Sequence, residues 1–337
     1  MKVLILKPSS LGDVVQAIPV LRMLKLHHPA AEIYWWVETN SAALLEGDPD
    51  LAGLIRFDRK RWGDPLHVNE VWNCIREIRA HHFDLVIDLQ ALLRSAAVAW
   101  IANGAFTVGL QDWRELALGF YDRSVPRPSS TTHAVDWYLD VLKLLDVPVR
   151  WDFEWLPKRE TVAAELAKAW KLNGNTIVLQ PGARWLNKRW PTEHFAEVVR
   201  LLHARDGLTK FVIIGGNADR ALGEAVFAAA PEACIDLTGR TTLPEAVEII
   251  RSSRLMVTND TGPMHIAAAL NTPVVGLFGP TNPARTGPYR QQHFALQRDD
   301  LACVPCLKNS CANSEPLACL RGISPARVAH EVAIRLN

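Results

Sequence analysis

The sequence predicts an α/β protein of two doubly wound halves, each a parallel sheet with helices on both faces. Two observations carry this. Short apolar runs alternate with helix-sized amphipathic segments, and the runs are near-continuously apolar, as strands buried on both faces must be. The rhythm then stops near residue 146 and restarts near 175. At 337 residues the chain is long enough for two domains of ordinary size, each with its own core.

In the first half the strand candidates are VLIL at 3–6, EIYWWV at 32–37, LIRF at 54–57 and DLVIDL at 84–89. In the second they are NTIVLQPG at 175–182, KFVIIGG at 210–216, ACIDLTG at 233–239, RLMVTND at 254–260 and TPVVGLFG at 272–279. Between them DVPVRWDFEWLPKRE, at 146–160, carries two prolines and breaks the helical pattern, so the linker falls there. Domains of 1–155 and 156–322 follow, with a closing helix at 323–337 expected to pack back on the first domain. Ser324 is its N-cap candidate, and Pro325 takes the first helical position.

Composition narrows the class. Hydrophobic residues make up 49% and charged residues 22%, which is globular rather than disordered, and a net charge of +1 argues against wholesale nucleic-acid binding. No run approaches the roughly 18 apolar residues of a membrane helix. The N-terminus reads as a strand between Lys2 and Lys7 instead of a secretory signal, so a cytoplasmic location is expected. Of the twelve tryptophans, Trp35 and Trp36 read as core, while Trp62 and Trp113, beside arginines, are candidates to face a ligand.

The chemistry should sit where strands hand over to helices, because ligands of parallel α/β sheets bind at the carboxyl ends of the strands. KPSSLGDVV, at 7–15, is such a junction. Ser9, Ser10 and Asp13 either cap the helix, with Gly12 easing the turn, or meet a substrate. VTNDTGPMHIAAAL, at 257–270, repeats the design. Gly262 lets backbone approach a ligand, and the helix N-terminus at Thr261–Gly262 suits an anion such as a diphosphate. His265 lies one turn inside, and Asp260 or Thr261 is alternatively a plain N-cap. QPGARWLNKRWP, at 180–191, places Lys188 in a strand-end loop, where it either neutralises a departing phosphate or is simply solvated. IIGGNADR, at 213–220, puts Asp219 after a Gly-Gly turn, within reach of a nucleotide. Neither the G-x-G-x-x-G fingerprint nor the P-loop pattern is present, which argues against a nicotinamide or flavin enzyme.

Taken together, KPSSLGDVVQAIPVLRML, QPGARWLNKRWP and NDTGPMHIAAALNTPVVGLFGPTNPARTGP resemble the ADP-heptose:lipopolysaccharide heptosyltransferases, glycosyltransferase family 9. FDLVIDLQALLRSA and GLQDWRE make the first half heptosyltransferase I-like. The resemblance implies a GT-B fold, two Rossmann-like domains facing across a cleft, the first binding the acceptor and the second the nucleotide sugar. It implies transfer of heptose from ADP-heptose to an anionic glycolipid acceptor of Kdo-lipid A type, with inversion. Asp13 is then the general base, Lys188 supports the leaving diphosphate, and Asp219, Asp260, Thr261, Gly262 and His265 contact the donor. Ser10, Gly12, Arg59, Arg61, Arg94 and Arg114 are the acceptor candidates. No metal is needed for catalysis if lysine and helix amides balance the charge, no nucleic acid is involved, and contact with the inner membrane would be peripheral.

One segment departs from the heptosyltransferase I pattern. Cys303, Cys306, Cys311 and Cys319 begin as C-x-x-C, which suits one corner of a structural zinc site, but the spacing of the second pair leaves plain reduced thiols equally open. A cytoplasmic chain disfavours disulfides. Cys74 and Cys234 read as core. Two rival functions stand beside the transferase: an enzyme of the same fold acting on another nucleotide sugar, such as an epimerase, and a non-catalytic nucleotide-sugar-binding protein. Asp13 and Lys188 together speak against the second, since a binder has no use for a base.

Overall fold

The computed structural model describes residues 1–112, 117–172, 174–207 and 209–336. The chain divides into two units, Met1–Pro157 and Lys158–Asn337. In the first, β1 (Lys2–Leu6), β2 (Glu32–Glu38), β3 (Gly53–Phe57), β4 (Leu85–Asp88), β5 (Phe106–Gln111) and β6 (Arg123–Pro126) form a sheet in the order β3-β2-β1-β4-β5-β6. In the second, β7 (Thr176–Gln180), β8 (Lys210–Ile213), β9 (Cys234–Asp236), β10 (Leu255–Asn259), β11 (Val274–Leu277) and β12 (Ala295–Leu296) run β12-β11-β10-β7-β8-β9. Read from its other edge, the second order is the same as the first. Every neighbouring pair is parallel. The chain winds to one edge, returns to the middle and winds to the other, so the direction of winding reverses between β1 and β4 and again between β7 and β10. Loops leaving those strands splay apart there, which makes the crevice where such sheets bind ligands.

The strands are buried as their sequences require. Val3 to Leu6 are fully covered, as are Val178, Leu179, Met256 and Val257, and each such side chain contributes roughly 1.5–3 kcal/mol of hydrophobic stabilisation. Trp35 and Trp36 are core residues. Trp62 differs from expectation: its ring packs against Phe57 at 5.0 Å and Trp36 at 6.0 Å, so it closes the core instead of facing a ligand. Trp113 lies outside the described residues. Cys74 and Cys234 are buried, and burial pushes their thiols up to about 11 and about 12.

Three strands escape the apolar-run pattern. Gly109 interrupts β5, β6 has a single buried apolar residue before its proline, and β12 is two residues long. Gly109 has a packing reason: a Cβ there would lie 2.4 Å from the ring of Tyr121. The ring crosses the bare backbone to donate its hydroxyl to Asp88 Oδ2 at 2.7 Å, while Asp88 Oδ1 accepts from the N–H groups of Gln90 and Ala91. Asp88 is fully buried at the end of β4, and burial raises its pKa against the hydrogen bonds from Tyr121, Ser95, Gln90 and Ala91. Tyr121→Phe should cost about 1–3 kcal/mol, because one carboxyl oxygen loses its partner in a dry site. For Asp88 the folded state favours the protonated form. Its contribution is fully present below the ordinary aspartate value of about 3.9 and is lost as pH rises through the raised one. Asp88→Asn should therefore gain stability relative to wild type as pH rises toward neutral, measured by thermal unfolding across pH.

The closing helix, Pro325–Leu336, belongs to the second unit. Val328, Ala329 and Val332 join its core, against helix Thr192–Asp206 and strands β10 and β11.

Candidate active site

In the second unit, the loops after β7 and β10 are clamped together by one buried side chain. Asn259, the last residue of β10, donates Nδ2–H to the carbonyl of Pro181 at 2.8 Å and accepts the N–H of Trp190 at 2.9 Å. Trp190 is itself anchored, its Nε1–H donating to the carbonyl of Ile323 at 3.0 Å. The segment between Pro181 and Trp190 is therefore fixed at both ends, and it delivers Lys188 to the strand end. Lys188 Nζ donates to Asp260 Oδ2 at 2.6 Å, Thr281 Oγ1 donates to the same oxygen at 2.6 Å, and the ammonium lies 4.9 Å from the ring centre of Trp185. Lys188 is 19% exposed and Asp260 only 6%. Next in the chain, Thr261 is extended and Gly262 opens the helix Gly262–Ala269. The helix start follows directly on Asp260, the partner of the lysine; Pro263 has no N–H to offer, and that of Met264 goes to the carbonyl of Thr261 at 3.1 Å. His265 is buried one turn in.

Asp219 comes to the same strand ends. Its Oδ2 accepts the N–H of Gly216 at 3.1 Å, and Arg189 Nη2 stands 3.6 Å from Oδ1, held by Nε donating to the carbonyl of Ala183. The carboxyl lies over Gly182, where a Cβ would be 2.4 Å from Asp219 Cγ. Gly182→Ala must displace either the carboxyl or the loop after β7. A loss of about 1–3 kcal/mol, the usual size for overpacking, is expected in denaturant titration.

In the first unit the loop after β1 is ordered by Asp13. Its Oδ2 accepts both the N–H and the hydroxyl of Ser10, at 3.0 and 2.7 Å, and Tyr138 donates its hydroxyl to Oδ1 at 3.4 Å. Lys7, buried at the strand end, donates to the carbonyl of Leu89 at 2.8 Å and lies over the Tyr138 ring. Gly12 is buried in the first turn of helix Leu11–His27. Arg59 reaches this loop, donating to Ser9 Oγ and, at 3.0 Å, to Glu38 Oε2. Asp13, Ser10, Gly12 and Arg59 are thus one cluster. Arg61 is turned toward Glu70 and His67, Arg94 is exposed on the helix Leu93–Ala102, and Arg114 lies outside the described residues.

Tyr138, Thr281 and Trp185 were not singled out from sequence. Thr281 follows a strand beside β10, so a strand-end position was its available signal; Tyr138 meets Asp13 from 125 residues away and carried none.

The four clustered cysteines all line one cavity, together with Asn187 and Lys308. Cys303 and Cys311 are exposed, Asn313 Nδ2–H points at Cys303 Sγ, and the N–H of Leu317 points at Cys311 Sγ. Backbone N–H groups hold Cys311 below the usual thiol range. Among the described residues, no three His, Cys, Asp or Glu side chains are set to hold a metal ion, so the geometry gives structural zinc at Cys303, Cys306, Cys311 and Cys319 no support.

A family model described as glycosyltransferase family 9 (heptosyltransferase) matches residues 71–316. Lipopolysaccharide heptosyltransferase 1 of Pseudomonas aeruginosa is 30% identical over 358 aligned positions, covering 100% of this chain and 98% of its own. Lipooligosaccharide heptosyltransferase 2 of Haemophilus ducreyi is 28% identical, with 98% of each chain covered. The solved structure of the E. coli ADP-heptose lps heptosyltransferase II matches with a TM-score of 0.78 at 26% identity, covering 100% of this chain and 98% of that one. The paired six-stranded sheets are the GT-B architecture that the sequence resemblance implied. The family's pattern runs through both strand-end clusters of the second unit, and a relative aligns from end to end, so the chain belongs to glycosyltransferase family 9, the heptosyltransferases, and is a glycosyltransferase.

Proposed function

We propose that this enzyme moves L-glycero-D-manno-heptose from ADP-heptose to the inner core of lipopolysaccharide, onto Kdo or the first heptose, with inversion at the anomeric carbon. One observation carries the reading: a lysine ammonium, a buried carboxylate and a helix N-terminus converge at the winding reversal of the second sheet. A cation beside the positive end of a helix suits a diphosphate, whose charge grows as the glycosidic bond breaks. Asp260, itself bonded by Thr281, holds Lys188 in place beforehand, so little reorganisation is needed when the charge develops. Thr261, Gly262 and His265 complete the diphosphate contacts, and Asp219 takes the nucleoside end of the donor.

Asp13 removes the proton from the acceptor hydroxyl as it attacks, and the bond to the diphosphate breaks on the opposite face. Tyr138 and Ser10 orient its carboxyl. Arg59, tied to the same loop, is the first acceptor contact; Arg94 and Arg61 extend the basic surface toward the phosphates and carboxylates of an anionic glycolipid. No metal takes part in this scheme. Relatives named for the first and for the second heptose are nearly equally similar, which is why the acceptor is given as Kdo or first heptose.

The test is ADP release from ADP-heptose in the presence of a Kdo-lipid A acceptor. Acceptor-dependent release is expected, and Lys188→Ala should lower it by about 10²–10³-fold, the usual loss on removing one preorganised charge partner. Release with another nucleotide sugar but none with ADP-heptose would overturn the donor assignment.

A further inference from the structure

The outer helical layer of the first unit exposes apolar side chains that its core does not use. Helix Val68–Ala80 sets Val68, Trp72, Arg76 and Arg79 at spacings of four, four and three, which places them on one face. All four are exposed, Trp72 to 57%. Helix Leu93–Ala102 packs beside it, and both turn their inner residues, such as Cys74, Ile78, Val98 and Ala99, into one core. Its outer face carries Leu93 and Trp100, two turns apart, with Trp100 69% exposed and Arg94 next to Leu93. Leu66, 86% exposed, leads into the first of these helices.

We propose that this face docks on an anionic membrane surface. The residue types and their charge select that occupant. Indole rings carry an apolar body and a polar N–H and settle at the boundary between headgroups and acyl chains, while arginine stems lie along apolar surface with their charge at the phosphates. Arg76, Arg79 and Arg94 stand among the apolar side chains; of the acidic residues on the two helices, Glu70 is already paired with Arg61, leaving Glu77. Positive charge around an apolar patch complements anionic lipid and adds attraction that falls off within a Debye length. Docking through this face is peripheral, since no helix among the described residues is long and apolar enough to cross a membrane.

Flotation of the full chain with vesicles of phosphatidylethanolamine and phosphatidylglycerol tests this without donor or acceptor, so its failure leaves the transferase reading standing. The chain should float with these vesicles, less so with phosphatidylcholine alone, and less again as salt rises. Trp72→Ser with Trp100→Ser, and separately Arg76→Glu with Arg79→Glu, should each lower binding about tenfold with the thermal unfolding midpoint unchanged, since interfacial binding scales with buried apolar area plus attraction to anionic lipid. No flotation of the wild type, or equal flotation of the variants, overturns the proposal. So does a concentration-dependent dimer in light scattering that these substitutions abolish, which would make a second copy the occupant.

Discussion

Replacing Asp13 by asparagine is expected to lower turnover by about 10²–10⁴-fold, the range that positioned general bases supply. Asparagine is the informative substitution because the proposed base also orders the start of a helix. Asp13 accepts from the N–H and hydroxyl of Ser10 and so caps the helix Leu11–His27. An asparagine carbonyl oxygen can still accept from Ser10, so the cap largely survives, whereas the carboxylate proposed to take the proton does not. The unfolding midpoint and donor KM should therefore change little while kcat collapses. Tyr138→Phe removes only the orienting hydroxyl bond and should give a smaller fall with the same pattern. Turnover by Asp13→Asn equal to that of the wild type would mean that the residue is a helix cap and that the base lies elsewhere.

Most of the fold was legible because parallel strands buried on both faces leave short apolar runs rich in Val, Ile and Leu, separated by helix-sized segments. Where a strand's burial was assured by neighbours, the signal vanished. β5 tolerates Gly109 because the Tyr121 ring fills its place, and β12 needs only two residues because it pairs at an edge. The candidate site was legible to the extent that it is local: SSLGD and NDTG are single strand-to-helix turns, and the loop that delivers Lys188 is one contiguous stretch. The partners that aim these groups are not local. Thr281 and Tyr138 reach Asp260 and Asp13 through the topology of the sheets, and no spacing along the chain announces a meeting that depends on strand order. The basic residues near position 60 show the same limit. Arg59 and Arg61 are two apart, yet one turns to the loop after β1 and the other to Glu70, because a short helix separates them by more than half a turn.

Arg22→Met is expected to destabilise the protein by about 3–5 kcal/mol, because it strands a buried carboxylate. Arg22 is 7% exposed and its guanidinium bonds both oxygens of Asp48, whose side chain is fully covered, as well as Asp50 at 2.6 Å. Burial alone would disfavour the charge, but the two carboxylates outweigh it and raise the pKa above the ordinary arginine value. The remaining donors go to the carbonyls of Glu154 and Trp155, at 3.1 and 2.9 Å, so one side chain ties the end of the first unit to the helix Leu11–His27. Five fixed donors used on four partners are something lysine cannot supply, so Arg22→Lys should recover only part of the loss. By the usual scaling for a unit of this size, the midpoint of thermal unfolding should fall by roughly 10 °C in Arg22→Met. Arg22→Met combined with Asp48→Asn should recover much of that, since the double change removes the stranded charge along with its partner. A single variant that loses less than about 1 kcal/mol, with no recovery in the pair, would show that water reaches Asp48 once the arginine is gone and that the cluster contributes no more than a surface ion pair.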